Sequence, residues 1–173
     1  MKKLINITIA AALLFTMGCS KDYLERVPTS SVTLEDMFSS LTGAETAIQG
    51  MNRATYQYYD SHDRFGQKSI DLAVDLLGDD MYQTERGYGW FVSWYQYIEH
   101  RNINSANLEY VWSYYYDLVN NANLILANVD KCSDAALYPD EVQFIKAQAL
   151  TYRAYSFYQL VQLYADRYDY TAG

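Results

Sequence analysis

The sequence predicts an all-α protein, and three observations carry that prediction. Residues Asp140 to Arg167 contain no Gly and no Pro, so nothing in them breaks a helix. Residues Asn107 to Val129 place Val111, Tyr115, Leu118, Ala122 and Leu126 along one helical stripe. The rest of the chain is punctuated by helix-end signals, among them Thr33-Leu34-Glu35-Asp36, Thr42-Gly43-Ala44-Glu45 and Gly78.

Residues 1–18 read as a secretory signal. Lys2 and Lys3 form its charged start, and Leu4 to Phe15 is an apolar run too short to span a membrane. Thr16-Met17-Gly18-Cys19 resembles a lipobox, with the small Gly18 just before the cleavage point and Thr16 where a Leu is usual. Cys19 is therefore expected to carry acyl chains, each buried CH₂ contributing about 0.8 kcal/mol of anchoring. Residues 19–32 read as a lipidated tether containing Pro28 and a Ser/Thr cluster, and residues 33–173 as one helical domain.

Within that domain, Thr33 to Asp36 is expected to cap a short helix. From Thr42 a longer helix follows, with Ala44, Ile48, Met51, Thr55 and Tyr58 on one face. Gln67 to Leu77 is the next, with Ile70, Val74 and Leu77 apolar and Gly78 as its C-cap. Asp71 and Asp75 on its other side are expected to be a solvated acid pair. Asn120, Asn121 and Asn123 lie inside the third long helix although Asn is a poor helix former, so a buried structural role is expected for them. Lys131 to Tyr138 joins this helix to the last in an antiparallel hairpin. Pro139, Asp140 and Glu141 suit the start of the last helix. Two of its rows recur at helical spacing: Phe144, Gln148, Tyr152, Tyr155, Gln159 and Leu163 on one side, and Ala147, Leu150, Ala154, Phe157, Val161 and Tyr164 on another. A helix apolar on more than one side packs on more than one side.

The net charge of the whole chain is −8, and removal of the signal with Lys2 and Lys3 leaves 11 basic against 21 acidic residues, a net of −10. That excludes a nucleic-acid partner, which needs basic patches. Residues 19–173 suffice to bury roughly two thirds of their unfolded surface, enough for one domain. Cys132 is the only cysteine besides Cys19, so no intrachain disulfide is expected. Nineteen tyrosines supply amphipathic surface suited to sugars, to protein interfaces or to a wet helical core. No catalytic constellation is present: His62 and His100 belong to no metal-binding motif, and no G-x-S-x-G nucleophile occurs. Neither a metal nor any cofactor is expected.

Asp79 to Ser105 is the least helical stretch, broken by Gly87 and Gly89 and crowded with Tyr82, Tyr88, Trp90, Trp94, Tyr95 and Tyr97. Long loops in compact domains are often functional. Trp and Tyr faces suit the apolar face of a pyranose ring, and Asp and Arg suit its hydroxyls.

Two stretches carry a family resemblance. Ala147, Ala149, Arg153, Ala154, Tyr155, Phe157, Leu160, Val161 and Tyr164 resemble the signature helix of the SusD/RagB family. Trp112, Tyr115, Asn120, Ala122, Asn123 and Leu126 are similar to that family's W-x-x-Y-x-x-I-x-x-A-N-x-x-L pattern, with Val119 in the Ile place. The resemblance implies tetratricopeptide-like hairpins, although the 34-residue repeat signature is not met cleanly. It implies an outer-membrane lipoprotein that captures glycans, or for some members peptides, and passes them to a SusC-like TonB-dependent transporter. Asp80, Arg86, Trp90 and Trp94 are the candidate ligand contacts it implies; the other reading of Trp90 and Trp94 is a hydrophobic cap over the helices. A helical scaffold binding only protein partners is the alternative from another class, and a glycan lyase stands third. The Gly-Val-Pro-Leu-like turn that usually follows the signature helix is not present before Gly173. The chain is accordingly expected to hold the N-terminal part of the family's length and to expose an apolar-aromatic patch on its last hairpin.

Overall fold

A computed structural model of the chain describes residues 32–78 and 80–166. The signal segment, Cys19 and nearly all of the tether lie outside the described residues. Residues from Glu35 onward form one compact unit. The described residues are helical, with no strand among them. The α-helices are α1 (Leu34–Met37), α2 (Leu41–Ala54), α3 (Gln67–Leu77), α4 (Val92–Tyr95), α5 (Ala106–Asn128) and α6 (Pro139–Tyr164). Short 3₁₀ turns occupy Glu99–Arg101 and Val129–Lys131. Among the described residues no helix is long and apolar enough to cross a membrane.

The hairpin of α5 and α6 is the frame, packed more extensively than any other pair. Its antiparallel sense is fixed at three levels. Tyr164 at the end of α6 donates to the Leu108 carbonyl at 2.7 Å, Arg153 donates to Asn123 at 3.0 Å, and Lys146 near the start of α6 pairs with Asp130 at 2.7 Å. Ser105 starts α5 by accepting the Asn107 and Leu108 amides, each at 3.1 Å, satisfying donors that a helix start leaves open. Pro139 starts α6, with Asp140 and Glu141 in the first turn.

The start of α2 departs from the sequence expectation. Thr42 lies inside the helix, and Ser40, at the N-cap, makes no side-chain capping bond. The Leu41 amide instead donates to Asp134 Oδ1 at 2.9 Å, a carboxylate from the α5–α6 turn. Ser133 of the same turn donates to the Ser39 carbonyl at 2.7 Å through its hydroxyl. A capping box read locally loses here to a charge-assisted bond from a distant part of the chain. The turn thus pins the beginning of α2, and Tyr152 in mid-α6 donates to Asn52 near its end, so α2 runs parallel to α6.

The core lies between α2, α5 and α6. Leu41, Ile48 and Met51 meet Tyr115, Leu118 and Ile125 of α5 and Ile145 and Ala149 of α6. Cys132 is buried just after the hairpin's 3₁₀ turn. The buried row of α6 is Val142, Ile145, Ala149, Ser156 and Leu160. Neither apolar row expected from sequence is this one. Tyr152 and Leu163 of the first row are half-buried, whereas Leu150, Phe157, Val161 and Tyr164 of the second are exposed, as are Phe144 and Tyr158. An α-helix apolar all round gives no phase to its own periodicity, so its neighbours decide which row is inside. The asparagines of α5 are a second correction. Asn120, Asn121 and Asn123 are exposed, not buried. Asn121 donates to the Asp117 carbonyl at 2.9 Å and Asn123 accepts from Arg153, so they do bond neighbouring groups, but from the outer side of the stripe.

Two adjacent core tyrosines differ in one bond, and that gives a prediction. Tyr115 exchanges hydrogen bonds with the Gln67 amide at 3.1 and 3.2 Å. The Tyr114 hydroxyl, on a side chain only 1 % exposed, has no partner among the described residues. Tyr115→Phe is expected to lower stability by about 1 kcal/mol and Tyr114→Phe to leave it unchanged or raise it, since an unpaired buried hydroxyl costs about 1–3 kcal/mol. Burial pushes both phenols well above the ordinary tyrosine value of 10.0. Stability from these groups is therefore fully present below pH 10 and lost as pH rises above it, at up to about 1.4 kcal/mol per pH unit for each phenol. Thermal melts from neutral to alkaline pH should show this fall, and Tyr114→Phe should make it shallower. An equal slope in wild type and variant would refute the assignment.

Candidate functional site

Two loops meet beside the start of α5. The first, residues 55–66, joins α2 to α3 and is closed on itself. The Gln67 amide donates to the Thr55 carbonyl, and the Tyr59 amide to the Arg64 carbonyl, both at 2.9 Å. Tyr110 of α5 ties the loop down: its hydroxyl accepts the Gly66 amide at 2.9 Å. Arg64 is held from two sides, donating to Asn107 at 3.0 Å and to both oxygens of Asp60 at 3.0 and 3.2 Å, with its guanidinium 5.8 Å from the Tyr110 ring centre. The second loop carries the turn from Arg86 to Gly89, closed by the Gly89 amide on the Arg86 carbonyl at 2.9 Å. Gly87 and Gly89 both have positive φ there, 52° and 88°, and the turn thrusts Tyr88 outward.

Where the loops meet, their rings form a ladder. Tyr58 lies 5.7 Å from His62, His62 lies 4.7 Å from Trp90, and Trp90 stacks on Tyr88 at 5.2 Å and 22°. Trp90 is 40 % exposed and Tyr88 90 %. Trp90 is thus the middle ring, with two others at stacking distance, and the largest free aromatic face belongs to Tyr88. Beside Tyr58 opens a cleft of about 700 Å³ lined by Tyr59, Asp60, Arg64, Glu109 and Tyr110 among others. Burial, foremost, raises the pKa of Tyr59 and Tyr110, and the Tyr110 hydroxyl is engaged by Gly66 and Ser69 rather than turned to the cleft.

The four residues singled out from sequence are placed differently from one another. Trp90 is on the ladder, and Arg86, exposed, opens the turn that leads to it, its carbonyl accepting the Gly89 amide. Trp94 is 7 % exposed, on α4, beside Ile70, Ala73 and Val111, so it caps α3 and α5 and has no free face. Asp80 is exposed just beyond the end of α3 and shares no hydrogen bond or ion pair with Arg86. Tyr58, His62, Tyr88 and the cleft residues join the site without a sequence motif of their own. The spacing of Tyr58 continues that of Ile48 and Met51 and predicts a helical face, but α2 stops at Ala54. The dense aromatic and polar run Tyr56 to Arg64 was the available signal.

A packed helical hairpin with an open, aromatic-lined polar surface at one end defines the class of fold: an all-α helical-hairpin protein. Comparison with known proteins makes this more specific. Residues 22–172 match the SusD-like family described as starch-binding associating with outer membrane, and the chain belongs to that family. It is also 25 % identical to the SusD-like protein P25 of Formosa agariphila over 98 % of its own length. It spans only 32 % of that curated relative. No solved structure matches the chain.

Proposed function

We propose that this chain is the N-terminal helical part of a cell-surface lipoprotein that binds glycans and delivers them to a SusC-like TonB-dependent transporter. The supporting observation is the exposed ladder Tyr58–His62–Trp90–Tyr88, in a chain whose family is described as starch-binding and associated with the outer membrane. Sugar rings present an axial C–H face to an aromatic ring and hydroxyls at their edges. Tyr88, backed by Trp90, supplies the first kind of contact, and Arg86 and the cleft the second. Cys19 is the lipid attachment point in this reading, and Asp80 is a peripheral contact at most. The role is binding rather than catalysis, and the ligand is a glycan in preference to a peptide.

A second reading has its own observation. The exposed row of α6 offers Phe157, Tyr158 and Val161 together, a surface that suits a protein partner. One experiment separates the two. The full chain, purified from membranes in detergent, is passed over immobilised starch and other polysaccharides. Retention that falls at least about tenfold in Tyr88→Ala/Trp90→Ala supports glycan binding, as the loss of one to two aromatic contacts would. Co-purification of a barrel protein without retention on any polysaccharide would favour the protein-only scaffold. In the same preparation Cys19→Ala should abolish fatty-acid labelling and membrane recovery; a wild type that takes no label would remove the anchor from this reading.

A further inference from the structure

The loop of residues 55–66 is anchored to α5, through the Gly66 amide on Tyr110 and Arg64 on Asn107. Residues 80–91 have no such anchor to that loop. Among the described residues no hydrogen bond or ion pair joins the two, and the ring contact between them is His62 on Trp90, at 4.7 Å and 30°. We propose that His62 is a proton-operated clasp: on gaining a proton it holds residues 80–91 more tightly against the 55–66 loop. The proposal stands apart from the glycan-binding reading, since it concerns the two loops and no ligand.

The geometry suits a clasp. His62 is exposed, so its imidazole exchanges protons with water. It lies between two rings, with Tyr58 on one side and Trp90 on the other. The 30° angle to Trp90 is nearer to stacked than to edge-on, which sets the imidazole against the indole face. Imidazole is the side-chain group that gains a charge as pH falls through neutrality. Neutral, it offers Trp90 an ordinary ring contact. Protonated, it is a cation close to the side-chain ring that attracts cations best, and at an exposed site that attraction favours the closed pair about two- to fivefold.

The surrounding charges let the cation form. On the same loop Asp60 is paired with Arg64, and Asp63 accepts the Ser61 hydroxyl. On the facing loop Glu85 and Arg86 are exposed at the turn, and on α5 Glu109 is exposed beside the cleft that Tyr58 lines. The other titratable rings of the ladder are the phenols of Tyr58 and Tyr88. Carboxylates thus outnumber guanidiniums around His62, and the charge of Arg64 is already compensated. His62 itself makes no ion pair among the described residues. A proton gained there is therefore not neutralised by a bonded carboxylate, and its charge acts on the Trp90 face.

The test takes the full chain in detergent from about pH 8 to about pH 5 and follows it by tryptophan fluorescence and by hydrogen exchange. An imidazolium in contact with an indole quenches its emission, so emission should fall on acidification, and Trp90→Phe and His62→Phe should each remove the fall. His100→Gln should not: it alters the chain's other histidine, whose ring contact is with Tyr97 at 6.2 Å. Over the same range the amide protection of residues 80–91, corrected for the intrinsic pH dependence of exchange, should rise about two- to fivefold. His62→Phe keeps a ring against Trp90 with no proton to gain, so its protection should not change with pH. His62 and Trp90 are both exposed, and circular dichroism checks that the helices persist in the variants. Emission that does not respond to pH, or that responds equally in His62→Phe, would overturn the proposal. So would quenching with no gain in protection, which would leave a ring contact that holds nothing.

Discussion

Gly66→Ala is expected to destabilise the protein by about 3 kcal/mol or more and to dismantle the cleft, as strain at a glycine-only conformation combined with a backbone clash requires. Gly66 sits at φ 79°, ψ −152°, immediately before α3. Side-chain-bearing residues do not adopt that region without severe strain. A Cβ there would also fall 2.3 Å from the Thr55 carbonyl oxygen and 2.4 Å from its carbon. Neither atom belongs to a flexible side chain. Both belong to the backbone that receives the Gln67 amide and closes the loop. Relief of the clash separates Thr55 from Gln67, and with it the Gly66 amide from the Tyr110 hydroxyl and the Gly66 carbonyl from Ser69, now bonded at 2.7 Å. Gly50 is the control. It lies in the exposed part of α2 with nothing within 4 Å of an added Cβ, so Gly50→Ala should stabilise by about 0.5–1 kcal/mol through helix propensity. Denaturant titration of the two variants checks the contrast. A Gly66→Ala protein within about 1 kcal/mol of wild type would mean that the 55–66 loop is not held as described.

The way the two loops bring His62 to Trp90 explains why the fold is more legible than the site. α3 is found over Gln67–Leu77 with Gly78 closing it, as its apolar spacing and terminal glycine indicate. α5 and α6 fall within one to three residues of the predicted ends because both are long and uninterrupted, and Pro139 marks the start of α6. These are local signals, written within a few residues of the feature they specify. The site is not local. His62 and Trp90 are brought together by the closure of one loop and the turn of another, and no spacing in the sequence encodes a 4.7 Å contact between them. For the same reason Asp134 could not be anticipated as the cap of α2. Trp94 and Trp90 share a loop and a residue type, yet one is a cap and the other a surface ring. The four-residue helix α4 turns Trp94 inward onto α3, and only tertiary packing sets that direction. The phase of α6 is the remaining case: sequence showed that it is apolar on several sides but not which side the core takes.

That phase supplies the other large effect. Ile145→Ala, on the buried row, should cost about 2–5 kcal/mol, because it deletes methylene groups from a fully enclosed site and leaves a cavity. Ile145 is wholly inaccessible in the cluster with Ile48 and Ile125, and the loss approaches the whole margin of a domain stable by roughly 5–15 kcal/mol. Phe157→Ser and Val161→Ser, on the exposed row, should change stability by no more than about 0.5 kcal/mol each, since side chains already in water return little when removed. Their effect should fall on association instead. Phe157, Tyr158 and Val161 together with Leu150 line the outward side of α6, and Trp112 with Tyr116 and Tyr164 continues an exposed aromatic surface at the end of the hairpin. A contiguous apolar surface of this kind drives self-association of an otherwise folded chain. Sedimentation of the chain in detergent-free buffer, prepared as Cys19→Ala so that lipid plays no part, should show oligomers that Phe157→Ser/Val161→Ser reduces, with the same helicity and the same denaturation midpoint. A double substitution that costs more than about 2 kcal/mol would show that this side of α6 is covered in the folded chain, and the assignment of Ile145 and Ala149 to its single buried row would then be wrong.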